Sequence, residues 1–132
     1  MDSSVLDKYI VGRVEPHIYA FTTGTIPNYL KVGDTYRPIE QRLNEWRKHF
    51  PDLEKAYSAT SKVDEDVYFR DFAIHSYLER DKKLHRLLPT DIAELPYYSN
   101  EFFEHASEKD VIDAVEDIKT DFAENKGKYQ FY

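Results

Sequence analysis

The stretch from 17 to 42, HIYAFTTGTIPNYLKVGDTYRPIEQR, constrains the fold more than any other part of the chain. Ile18-Tyr19-Ala20-Phe21 is aromatic and apolar, as suits a pleated surface, and reads as a strand. Thr22 to Asn28 is dense in turn formers, including Gly24 and Pro27, and reads as a hairpin loop. Tyr29-Leu30-Lys31-Val32-Gly33 then reads as the returning strand. Asp34-Thr35 is placed to cap a following helix, and Pro38 falls where an early-helix proline is tolerated. Ile39, Leu43 and Trp46 recur at helical spacing. A hairpin that feeds a helix brings Tyr19, Lys31 and Arg42 into reach of one another.

Beyond Pro51 the helix cannot continue, and residues 55–60 read as a third strand. The next helix is expected over roughly 66–79. Val67, Ile74 and Leu78 would form its buried stripe, with Asp71 inside that stripe and His75 one turn on. A buried carboxylate must be paired or bind a cation, which makes Asp71 the first candidate metal ligand. Residues 80–86, RDKKLHR, read as a solvated continuation of the helix. Residues 87–96 read as a loop. Glu101 reads as a turn residue, with Phe102 and Phe103 beside it as core anchors. Ser107 and Asp110 form a capping-box-like start to a structural helix over 107–124, with Val111, Val115, Ile118 and Phe122 on its core face. The pattern predicts an α+β domain with a small three-stranded antiparallel sheet flanked by helices.

The whole chain, 1–132, is read as one domain, with residues 1–15 an N-terminal packing segment. The aromatic end, 129–132, reads as the edge of a domain cut from a longer chain. The absence of cysteine excludes disulfides and thiolate chemistry and suits a reducing cytoplasm. No stretch approaches transmembrane length. The net charge of −7 argues against a protein coated in nucleic acid, yet leaves room for a local basic groove.

Several of these residues carry a resemblance. His17-Ile18-Tyr19 and Lys31-Val32-Gly33, separated by a loop of fitting length, resemble the two motifs of the GIY-YIG nuclease superfamily, the second in its Lys-Ile-Gly form. Arg42 matches that family's helix arginine. Asp71 and His75 stand at the spacing of its acid and histidine, with Asp in place of Glu. The likeness spans roughly 16–104. It implies a GIY-YIG-like fold and a metal-dependent DNA endonuclease that cuts by a single-metal mechanism and leaves a 5′-phosphate. Mg²⁺ would be the cofactor, with Mn²⁺ able to substitute. In that scheme Asp71, or else Glu101, holds the metal, and Arg42 stabilises the transition state. Tyr19 acts as base or orients the water with Lys31 beside it, and His75, or more weakly His17, takes the proton or holds the water. Arg37, Arg47 and Lys48 are candidate contacts to the DNA backbone. The other expectation is a module of the same fold with impaired chemistry that binds DNA or a partner domain.

Overall fold

A computed structural model describes residues 15–132. The N-terminal packing segment expected over 1–15 therefore lies, except for Glu15, outside the described residues. Over the described residues the fold is α+β, with a four-stranded antiparallel sheet and three helices. In chain order the elements are β1 (His17–Thr22), β2 (Tyr29–Thr35), α1 (Ile39–Arg47), β3 (Glu54–Thr60), β4 (Lys62–Asp64), β5 (Val67–Tyr68), α2 (Asp71–Arg80), β6 (Phe102–Glu104) and α3 (Glu108–Glu124). The main sheet runs β3-β1-β2-β6, and β4-β5 is a separate hairpin. The expected third strand is β3. The sheet gains a fourth, β6, because Phe102 and Phe103 pair with Lys31 and Leu30 as well as anchoring the core.

Side chains of a strand alternate between faces, and here the alternation separates two cores. Ile18, Ala20, Leu30 and Val32 point to the face covered by α2 and α3, through Ala73, Ile74, Leu78, Val111, Ala114 and Ile118. Tyr19 and Phe21 point to the other face, where α1 lays Leu43 and Trp46 against them, with Phe50 and Phe102 alongside. The sheet is thus a middle layer. Lys31 and Gly33 share the Tyr19 face, because Tyr19 pairs with Gly33 and Phe21 with Lys31.

Three expected features change. The helix expected over 66–79 starts at Asp71. Asp66 has a positive φ of 56° in the turn that joins β4 to β5, which breaks any helix there and makes Val67 a strand residue. Asp71 therefore sits in the first turn of α2 and not inside an apolar stripe. The helix also ends at Arg80, so residues 81–86 do not continue it; Arg86 forms a bridge with Phe103 instead. Asp34-Thr35 ends β2 and does not cap α1, whose N-cap is Pro38 with no side-chain bond. The capping box of α3 is present in full, Ser107 and Asp110 each accepting from the other's backbone N–H, and Asn125 closes the helix in the left-handed conformation. Among the described residues no helix is long and apolar enough to cross a membrane.

Candidate active site

The outer edge of β2 is covered by β6 only as far as Lys31, opposite Phe102. One residue later Val32 donates its N–H to the Glu101 carbonyl at 3.0 Å, and there the covering chain turns away. The open edge is filled by side chains. Glu101 comes from the residue before β6, and Asp71 and His75 come from the first turns of α2. Their ligand atoms lie within 4.8 Å of one another. Asp34 sets the position of α2. Its carboxylate accepts the Asp71 backbone N–H at 2.9 Å and the Arg70 guanidinium at 2.7 Å, so a residue of β2 serves as the N-terminal cap of a helix 37 positions on.

On the adjoining face the two hairpin strands close over Gly33. A Cβ at that position would stand 2.6 Å from Tyr19 Oη, 2.7 Å from its Cζ and 2.8 Å from Lys31 Nζ. Only a residue without a side chain lets the phenol and the ammonium meet there. Tyr19 is 1% exposed and Lys31 fully buried. Trp46 donates its indole N–H to Tyr19 Oη at 2.8 Å, and its ring lies under the ammonium, with Nζ 4.4 Å from the ring centre. Arg42, one turn before Trp46, also faces the Tyr19 phenol. Burial draws the Arg42 pKa down, but Tyr19 and Glu45 more than offset this and hold it above its usual value.

Lys31 links the two halves. Its ammonium lies 2.9 Å from Glu101 Oε1, but off the line of a well-formed hydrogen bond, so its donor capacity is not used up. Burial pushes Glu101 up, and Lys31 more than reverses this and holds it below the usual carboxylate range. Asp71 goes the other way. Burial first, then Asp34 and Glu101, raise it to about 7. His75 is 4% exposed, and burial lowers it to about 4. Its Nε2 donates to the Val32 carbonyl at 2.7 Å, since a carbonyl can only accept, which leaves the lone pair on Nδ1.

The expected residues thus form a connected series: Arg42, Tyr19, Lys31, Glu101, Asp71, His75. His17 is outside it, held by the Glu15 carbonyl. Of the candidate backbone contacts, Arg37 and Lys48 line a groove of about 480 Å³ beside Arg42, whereas Arg47 is turned to Asn44 and Glu40. Gly33, Asp34 and Trp46 do site work that the sequence reading did not assign to them. The signal for Gly33 was its place in the Lys-Val-Gly triplet. Trp46 carried only the signature of a core residue.

A divalent cation fits the donor set. Asp71 is a carboxylate with too little compensating charge, and two carboxylate oxygens plus an imidazole nitrogen are acceptable ligands for a metal of the Mg²⁺ or Mn²⁺ kind.

The family model of the T5orf172 domain matches residues 16–119, which spans β1 through most of α3. The chain belongs to the T5orf172 domain family. This corrects the GIY-YIG assignment expected from the motifs: the matching model is the T5orf172 one, and no GIY-YIG family model is found. The residues that carried the resemblance were short motifs, each with a substitution, at His17, Lys31 and Asp71. T5orf172 domains are nuclease-like and compatible with a DNA endonuclease role. No curated protein and no solved structure matches the chain.

Proposed function

We propose that this T5orf172 domain is a metal-dependent endonuclease that hydrolyses DNA phosphodiester bonds at the Tyr19–Arg42–Asp71 site. The observation that carries the reading is the juxtaposition of a guanidinium, a phenol and an ammonium on one side with two neighbouring carboxyls and an imidazole on the other. Hydrolysis of a phosphodiester needs an oriented water, relief of charge on the pentavalent phosphate and help for the leaving oxygen. Asp71 and Glu101 would hold the cation, with His75 beside them. When bound, the cation supplies charge relief on the phosphate and stabilises the leaving oxygen.

The chain's own residues do the rest. Arg42 keeps donors of its fork beyond the one given to Glu45 and can bind two phosphate oxygens at once. Tyr19, whose oxygen is held by the Trp46 indole N–H, would orient the attacking water. Lys31 supplies fixed positive charge between the phenol and the acids. It has little freedom to leave, because Gly33, Trp46 and Glu101 surround it. His75 Nδ1 is the ring atom able to accept a proton or hold a second water.

The second reading, a domain that binds DNA or a partner without cutting, is favoured by one observation. The Lys31 ammonium already neutralises Glu101. Plasmid nicking separates the two. Relaxation of supercoiled DNA should require Mg²⁺ or Mn²⁺, stop with EDTA, and disappear in Tyr19→Phe, Arg42→Ala and Asp71→Asn. DNA left intact by wild-type protein with both metals defeats the nuclease reading and leaves the binding one.

A further inference from the structure

The groove beside Arg42 contains more than a nuclease site needs. Its floor is α1 and the residues just after it, and its far wall is the loop before β6. Arg37, Arg42 and Lys48 make it cationic on a chain whose net charge is −7. Glu45 is the acid in its lining, and it takes one nitrogen from each arginine, at 2.6 and 2.8 Å. Beyond Glu45, and for Arg42 the Tyr19 phenol it also faces, each fork keeps donors for a ligand. A concentration of positive charge in one groove of an acidic protein matches a polyanion.

The groove also ends in a stacked aromatic pair. Tyr97 and His49 lie 4.3 Å apart with their planes only 19° from parallel, and Trp46 braces Tyr97 edge-on at 5.7 Å. Trp46 is 6% exposed and fixed by its bond to Tyr19. Tyr97 is 44% exposed. With one face against His49 and Trp46 edge-on to it, the exposed part of the ring is what a ring from outside could meet. A base inside a duplex presents only its edges to a protein. A platform of this kind is useful only to a base whose flat face is free.

We propose that the Arg42 groove is a subsite for an unpaired nucleotide next to the phosphate that is cut: Arg37, Arg42 and Lys48 take the backbone, and the base stacks on Tyr97. The substrate class is then DNA with a bulged, everted or single-stranded nucleotide, in preference to plain duplex. This rests on DNA being the ligand of the proposed active site, though not on cleavage.

Binding measured in EDTA tests it without catalysis. Three labelled duplexes of one sequence are compared: fully paired, with one bulged thymidine, and with an abasic residue at the bulge. The bulged duplex should bind about ten-fold more tightly than the paired one, the order expected for one base on one aromatic ring. The abasic duplex should fall back to the paired value. Tyr97→Ala should erase the difference while leaving paired binding unchanged, and Tyr97→Phe should keep it. Trp46 is the only tryptophan, so its emission should respond to the bulged base and not to the abasic one. Equal binding of all three duplexes, equal weakening of all three in Tyr97→Ala, or no binding of any overturns the subsite. Plasmid cleavage together with equal binding of the three duplexes overturns the subsite alone. A bulge preference without cleavage overturns the nuclease alone.

Discussion

Replacing Gly33 with alanine should disable the site with a change of one methyl group. The new Cβ would stand 2.6–2.8 Å from two atoms of Tyr19 and from Lys31 Nζ, all well inside ordinary carbon contact distances. An exposed side chain would swing away at little cost. Tyr19 and Lys31 cannot, because one is 1% exposed and bonded to Trp46, and the other is fully buried between Trp46 and Glu101. Overpacking of this kind costs about 2 kcal/mol. At roughly 4 °C per kcal/mol for a domain of this size, the melting temperature should fall by about 8 °C. The phenol must also shift by something near 1 Å, which is worth about 100-fold in rate at a positioned group. Gly24→Ala is the control, since its Cβ would meet only the end of the exposed Asp52 side chain, and it should melt much closer to wild type. Thermal melts and nicking rates of both variants decide the matter. Wild-type melting and full nicking in Gly33→Ala would refute the claim that this glycine holds the phenol and ammonium together.

Other outcomes follow from the same contacts. In EDTA, Asp71 and His75 should make opposite contributions to stability between about pH 4 and 6.5. Asp71 is raised from 3.8 to about 7, so its share is present below pH 3.8 and lost as pH rises toward 7; His75 is lowered from 6.5 to about 4, so its share is present above 6.5 and lost as pH falls toward 4. Relative to wild type, Asp71→Asn should therefore gain stability in urea melts as pH goes from 4.5 to 6.5, and a flat or falling difference would contradict the assignment. Asp34→Ala removes the cap of α2 and the partner of Arg70 and should cost about 1–2 kcal/mol, read as a fall in melting temperature accompanied by loss of nicking. Unchanged nicking would mean that Asp34 does not position Asp71.

Much of the fold was legible because it rests on local rules. The hairpin of β1 and β2 shows in its turn residues and its aromatic and apolar flanks, and α3 shows in its capping box and apolar stripe. What depends on distant parts of the chain was not legible. Asp34 carries the signature of a helix cap, and it is one, but for α2 and not for the helix that follows it; the direction of its side chain is fixed only once β2 is placed in the sheet. β6 is three residues long, too short to show a period. Lys31 shows in the sequence as a neighbour of Tyr19 and Arg42, but its full burial does not, because Glu101, 70 positions away, compensates its charge. Glu101 itself had been read as a turn residue as readily as an acid of the site. Tyr97 gave no signal at all, since its stacking partner, His49, lies on the far side of three strands and a helix in sequence.

A crystal of the protein soaked in Mn²⁺ tests the central claim most directly, because the anomalous signal locates the metal without reference to activity. The account predicts one strong peak about 2.2 Å from carboxylate oxygens of both Asp71 and Glu101, absent in Asp71→Asn. A soaked crystal with the Lys31–Glu101 pair intact and no peak between these acids would contradict it.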